Sequence, residues 1–66
     1  LMEQALAPGR TVRFAAPLND REAAQRFAVI ELRGPRVLVQ TLDPYLQSQR
    51  LVPQMVYALA DLTLAD

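Results

Sequence analysis

Residues 27–42 read FAVIELRGPRVLVQTL and contain the two clearest strand signals of the chain. The runs 27–32 and 36–42 are rich in aliphatic and β-branched side chains, which are typical of β-strands. The connection between them, residues 33–35, is short enough for a tight turn. The segment therefore predicts a β-hairpin as the central pair of a sheet.

A tip at Gly34-Pro35 sets the expected register of this hairpin. The pairs expected on the core side are Leu32–Val37 and Ile30–Val39. The pairs expected on the more exposed side are Glu31–Leu38 and Val29–Gln40. An apolar face opposite the core would then carry Phe27, Val29, Leu38 and Leu42. Two interpretations of that face stay open: an interface with a partner or second copy, or burial through curvature of a barrel.

Residues 10–15 predict the first strand. Val12 and Phe14 lie on one face of the alternating pattern, and Thr11 and Arg13 lie on the other. This alternation is typical of a strand with one buried and one polar face.

Residues 54–66 are ambiguous between two structures. The alternation of apolar residues favours a strand to about Leu59, a tight turn at 60–61 and a last short strand at 62–64. The alternative is a C-terminal helix, because Pro53 is permitted in a first helical turn.

Two longer connections separate these elements. In residues 16–26, Asn19 and Glu22 have the spacing of a capping box and predict one or two helical turns inside the loop. Residues 44–53 are bracketed by prolines and polar in the middle, so we expect an exposed connection.

The composition describes one small domain. The chain has 66 residues, 52% hydrophobic and 21% charged, with no cysteine and no histidine. We expect residues 1–8 to be a flexible lead-in and residues 9–66 to be the folded unit. The missing residue types exclude disulfides, thiolate metal sites and catalysis by cysteine or histidine.

The acidic residues predict no catalytic or metal site either. Asp20 and Glu22 lie in the capping region, Asp43 precedes a proline and Asp61 lies at the predicted tight turn. Each has a local structural role, so we predict that the protein is not an enzyme and needs no cofactor. No apolar run approaches the roughly 20 residues of a membrane span, and no signal peptide is visible. We expect a cytoplasmic location and no membrane partner.

The order of the predicted elements resembles an SH3-like small β-barrel. The resemblance rests on residues 9–14 as the first strand, the 27–42 hairpin as the central pair, and residues 56–62 as strand, 3₁₀ turn and last strand. It covers most of the chain and concerns a pattern of elements, not a specific motif. It implies a mostly β, five-stranded barrel with a short helical turn in the first long loop. Because one fold hosts many functions, it implies a binding module without naming the ligand.

Arginine supplies every basic charge of this chain. Formal net charge is zero, yet residues 1–42 carry six arginines against four acids, and residues 43–66 carry one against three. The guanidinium group suits bidentate contacts with phosphates and carboxylates. The candidate binding residues are Arg10, Arg13, Arg33, Arg36 and, as a stacking aromatic, Tyr45.

These observations predict a small, non-catalytic binding or accessory module. Protein–protein interaction, with an unknown partner or by self-association, is the leading interpretation. The alternative is a nucleic-acid-associated protein that contacts DNA or RNA through the arginine surface, as some prokaryotic barrels of this type do.

Overall fold

The computed structural model describes residues 6–66. In chain order its elements are β1 (Thr11–Phe14), α1 (Asp20–Ala24), β2 (Phe27–Arg33), β3 (Arg36–Thr41), α2 (Pro44–Gln47), β4 (Gln54–Ala58), a 3₁₀ turn (Leu59–Asp61) and β5 (Leu62–Leu64). The predicted mostly β class with five strands is confirmed. Within the described residues, no helix has the length and apolar character needed to cross a bilayer.

The five strands form one antiparallel sheet in the order β4-β3-β2-β1-β5. Strands that follow each other in sequence lie side by side, except that β5 returns to pair with β1. β4 and β5 are the two edges, and within residues 6–66 they do not pair with each other. The sheet is therefore open, whereas the prediction was a barrel.

The predicted lead-in, residues 1–8, is described only from Leu6 onward, and residues 1–5 lie outside the described part of the chain. Leu6 packs against the core. Arg10 N–H donates to the Ala7 carbonyl (3.1 Å), which forms a turn ahead of β1.

The core lies on one face of the sheet and is built mainly from valines. Its buried apolar residues are Val12, Phe27, Val29, Val37, Val39 and Leu62. Three rings add an edge-to-face cluster, in which the Phe14 centroid lies 5.3 Å from that of Phe27 and 5.2 Å from that of Tyr57. Such aromatic contacts stabilise by roughly 0.5–1.5 kcal/mol beyond their buried area. We call the opposite face of the sheet the outer face.

The register of the central hairpin contains a β-bulge that sequence reasoning missed. Leu32–Val37 and Glu31–Leu38 pair as predicted, but Val29 pairs with Val39, and the register shifts between Val29 and Glu31. The predicted pairs Ile30–Val39 and Val29–Gln40 are wrong.

The bulge has a packing reason. Without it, the alternation counted from the tip would turn Phe27 and Val29 toward the outer face. The extra residue, Ile30, reverses the alternation and lets both side chains enter the core, where each is 2% exposed. Burying a side chain of this size stabilises by about 1.5–3 kcal/mol, so the gain exceeds the cost of the one unpaired residue. Phe27 and Val29 are therefore core residues and do not belong to an apolar outer face.

The hairpin tip adopts a turn suited to its sequence. Gly34 has φ +60°, a conformation that glycine adopts without steric cost. Pro35 follows with its ring-fixed negative φ. A positive and then a negative φ is the pattern of a type II′ turn, which matches the twist of a two-residue hairpin.

Residues 54–58 are a strand, so the alternative of a C-terminal helix is wrong. Met55 lies opposite Val39 and Tyr57 opposite Val37. This two-residue repeat turns both side chains toward the core valines, which a helical repeat of 3.6 residues would not do.

The two helices are short and held by their caps. In α1 the predicted cap is confirmed, since Glu22 N–H donates to Asn19 Oδ1 (2.8 Å). The return bond of the capping box is displaced by one residue, because Glu22 Oε1 accepts from Leu18 N–H (3.1 Å) and not from Asn19 N–H. α2 was not predicted, and it interrupts the expected loop at 44–53. Asp43 Oδ1 accepts hydrogen bonds from the backbone N–H groups of Tyr45 (2.9 Å) and Leu46 (3.2 Å), so it caps this helical turn.

Candidate functional site

A groove lies between the loop after β1 and the 3₁₀ turn. It has a volume of about 690 Å³ and is open to solvent. Phe14 and Tyr57 line it from the sheet, and Leu18 and Ala60 contribute from its two sides. Both rings are only partly buried, so they present apolar surface to the groove. Concave sites with apolar walls and a few polar groups are the usual binding sites of proteins.

Backbone hydrogen bonds hold the two sides of the groove together. Ala15 N–H donates to the Asp61 carbonyl (2.9 Å), which ties the start of the loop to the 3₁₀ turn. The Asn19–Glu22 capping box fixes the next part of the loop. The groove is thus formed before any ligand arrives, which lowers the entropic cost of binding.

The rim of the groove carries both signs of charge. Arg21, Glu22 and Asp61 contribute to its lining. Arg21 and Asp61 are exposed and form no ion pair within residues 6–66. Leu18, at the edge of the groove, is 85% exposed. The lining is more polar than apolar, and Phe14 and Tyr57 belong to its apolar part.

The predicted binding arginines separate into two groups. Arg13 follows buried Val12 in β1, so its side chain lies on the outer face. Arg33 lies opposite Arg36 across the β2–β3 hairpin, and Arg36 lies opposite Ala58 of β4. Since Arg36 precedes buried Val37, this row of residues lies on the outer face. Arg10 instead faces the last residue of the chain.

Arg10 and Asp66 form a bidentate ion pair. Arg10 Nε lies 2.6 Å from Asp66 Oδ2, and Nη2 lies 2.8 Å from Oδ1. The hydrogen bonds from Arg10 lower the pKa of Asp66 to about 2 and raise the pKa of the guanidinium. The charge of Arg10 is therefore compensated within the chain, and Arg10 is separated from the other three candidates.

Arg26 lies just before β2, and its guanidinium donates to the carbonyls of Ala23 (2.8 Å) and Gln25 (2.9 Å) at the end of α1. It precedes buried Phe27, and its carbonyl accepts a hydrogen bond from Leu42 N–H (2.9 Å), which extends the β2–β3 ladder by one pair. The β1–β2 pairing ends at Val12–Phe27, one residue before Arg13 and Arg26. Arg26 is therefore not counted among the outer-face arginines.

The outer face consequently has arginines at two ends. Arg13 lies at one end and Arg33 and Arg36 at the other, about 20 Å apart along the strands. Glu31, which pairs with Arg33, lies between them on β2. Arg36 forms no ion pair within the described residues.

Tyr45 lies on α2 and is 73% exposed. It does not line the groove. Sequence reasoning did not bring Tyr57 and Phe14 together, although both rings line the groove. No protein-family model, curated protein or solved structure matches this chain.

Proposed function

We propose that this chain is an SH3-like interaction module that binds an extended segment of a partner protein in the Phe14–Tyr57 groove. The SH3-like assignment rests on the strand order, the β2–β3 hairpin and the 3₁₀ turn between β4 and β5. The proposed activity is binding without catalysis.

The observation that carries the proposal is the solvent-open groove with two ring faces and an exposed leucine on its rim. An enclosed cavity would suit a small molecule, whereas an open groove accepts a chain that continues beyond both ends. The aromatic rings offer apolar contact, and Arg21 and Asp61 offer charged contacts to either side. We therefore expect a ligand segment with an apolar side chain in the centre and polar residues beside it. The chain has no tryptophan, so we do not expect selectivity for proline-rich peptides.

Leu18 gives the sharpest test of this site. Peptides that bind are first selected from a random phage-displayed library, and the best is titrated into the ¹⁵N-labelled chain. We expect amide shifts at Leu18, Asn19 and Asp61. The Leu18→Ala variant should weaken binding about tenfold, because it removes an apolar side chain that the ligand would cover at the rim.

Leu51→Ala is the matched control, since Leu51 is 86% exposed and does not line the groove. It should bind as tightly as the unmodified chain. The proposal is wrong if the selected peptides shift residues on the outer face only, or if both leucine variants bind equally well.

A second candidate function is nucleic-acid binding by the outer face. The observation in its favour is the strand register, which assigns Arg13, Arg33 and Arg36 to one face with Glu31 as the acid among them. Cations distributed over one face are the usual electrostatic footprint of phosphate binding. The corresponding measurement is given in the Discussion.

A further inference from the structure

The edge strand β4 exposes a row of backbone hydrogen-bonding groups. Thr41 N–H donates to the Pro53 carbonyl (3.3 Å), and Leu59 N–H donates to the Pro35 carbonyl (2.8 Å). Hydrogen-bonded and non-hydrogen-bonded pairs alternate along an antiparallel ladder. The backbone groups of Met55 and Tyr57 therefore bond to β3, on the same side as those of Pro53 and Leu59. The N–H and C=O groups of the intervening residues, Gln54, Val56 and Ala58, therefore point away from the sheet.

This edge lacks the features that usually prevent strands from pairing. Natural edge strands are protected by lysines, inward charges, prolines or bulges. β4 reads Gln-Met-Val-Tyr-Ala and pairs with β3 in an unbroken register from Gln54 to Ala58. It carries no charge, and no backbone hydrogen bond among residues 6–66 engages its outward groups. Val56, at its centre, is 42% exposed.

We propose that two copies of this chain pair antiparallel through β4, with a two-fold axis at Val56. In this register Val56 of one protomer lies opposite Val56 of the second copy. Gln54 of each protomer lies opposite Ala58 of the other. Every outward backbone group of β4 then finds a partner, because each of these pairs exchanges two hydrogen bonds.

A second copy fits this edge because the strand is complementary to itself. A two-fold axis at the central residue of a five-residue strand leaves no group unmatched, and such isologous interfaces are the commonest in homodimers. On the outer face, Leu38 and Val56 of one protomer then lie in one row with Val56 and Leu38 of the second copy. This row is an uncharged strip that crosses the interface. The antiparallel arrangement also places the two Arg36 side chains at opposite ends of the interface, so they do not repel each other.

The chain also gains stability from pairing. A domain of this size buries a small share of its surface and is only marginally stable. Binding of one folded copy to another stabilises both by mass action. Strand pairing alone buries less than a standard interface of about 1,600 Å², so we expect a weak dimer. This inference does not rest on the proposed groove, because Val56 lies on the outer face and Tyr57 on the core face.

The test is sedimentation equilibrium of the full chain from about 10 µM to about 1 mM, a range suited to a weak complex. We expect a monomer–dimer equilibrium for the unmodified chain. Val56→Lys and Val56→Glu should each be monomeric, because like charges would face each other at the axis. Mixing the two variants should restore a dimer of one copy of each, which only a Val56–Val56 contact predicts.

Two controls separate this result from general effects of substitution. Val56→Thr keeps a β-branched, uncharged residue and should dimerise like the unmodified chain. Leu51→Lys places the same charge at an exposed site outside β4 and should also dimerise. A monomer at about 1 mM, a dimer that persists in Val56→Lys, or loss of the dimer in Leu51→Lys would each overturn the proposal.

Amide hydrogen exchange of the unmodified chain tests the register without any substitution. Protection of the Gln54, Val56 and Ala58 amides should rise with protein concentration. The Met55 and Tyr57 amides should be protected at all concentrations, since they bond to β3. Concentration-independent exchange at Val56 would contradict pairing at this edge.

Discussion

Arg10 and Asp66 face each other across β1 and β5 in direct continuation of the Val12–Leu64 pair. Arg10 Nε lies 2.6 Å from Asp66 Oδ2, and Thr11 N–H donates to the same oxygen (3.3 Å). Ala65 N–H donates to the Thr11 carbonyl (2.9 Å). These contacts attach the residues after β5 to the start of β1. They extend the β1–β5 ladder beyond the three residues of the last strand.

Folding stability should depend on pH through Asp66. Its pKa is about 2 in the folded chain, against an ordinary value of 3.8. A lowered carboxyl pKa stabilises the folded state above the ordinary value, and this stabilisation disappears as pH falls through the folded value. We expect the Asp66→Asn variant to unfold at a lower temperature than the unmodified chain near neutral pH. The two melting temperatures should converge between about pH 4 and pH 2.

The matched experiment is a double-mutant cycle with Arg10→Gln, followed by thermal unfolding over that pH range. Both side chains are partly exposed, so the coupling should be small and should decrease with added salt. A difference between Asp66→Asn and the unmodified chain that persists unchanged at pH 2 would show that the ion pair is not its cause.

The β-bulge makes opposite predictions for two adjacent residues. Val29 is 2% exposed and Ile30 is 40% exposed. Val29→Ala should lower the free energy of unfolding by about 2 kcal/mol, because it removes buried methyl groups and leaves a cavity. Ile30→Ala should lower it by less than about 1 kcal/mol, as is usual for exposed positions.

Urea unfolding followed by circular dichroism measures both values. Ile30→Ala removes more atoms than Val29→Ala. The size of the truncation alone would therefore predict the larger loss of unfolding free energy for Ile30→Ala. If Ile30→Ala proves the more destabilising, the pairing counted from the hairpin tip is right and the bulge is absent.

The strands were predictable because their signals are local. Alternation located β1, and the β-branched runs on either side of Gly34 located β2 and β3. The Asn19–Glu22 spacing predicted α1 for the same reason, since both partners of the capping box lie within one helical turn.

What sequence reasoning missed depends on long-range packing. The bulge at Ile30 exists because Phe27 and Val29 both fit the core, and that fit is not visible in the hairpin sequence. The groove brings together Phe14 and Tyr57, which are far apart in the chain. The Arg10–Asp66 pair likewise joins residues that are far apart in sequence, beside the neighbouring strands β1 and β5. In contrast, α2 had a local signal, because Asp43-Pro44 combines a capping side chain with proline at the first helical position.

Nucleic-acid binding by the outer face predicts a specific dependence on salt. The ¹⁵N-labelled chain is titrated with short single-stranded and double-stranded DNA at several salt concentrations. If phosphates bind the outer face, amide shifts should occur near Arg13, Arg33 and Arg36. For duplex DNA, each phosphate contact adds about 0.9 to the slope of log K against log salt concentration. The variant Arg36→Gln removes a guanidinium that forms no ion pair within residues 6–66, so it should lower that slope by about 0.9.

Arg10→Gln is the matched control, because it removes the same charge from a guanidinium that already has a carboxylate partner. It should leave the salt slope close to that of the unmodified chain. Equal losses for Arg10→Gln and for Arg36→Gln would mean that net charge, and not the outer face, governs the binding. Absence of any shift at low salt would exclude this candidate function and leave the groove as the binding site to test.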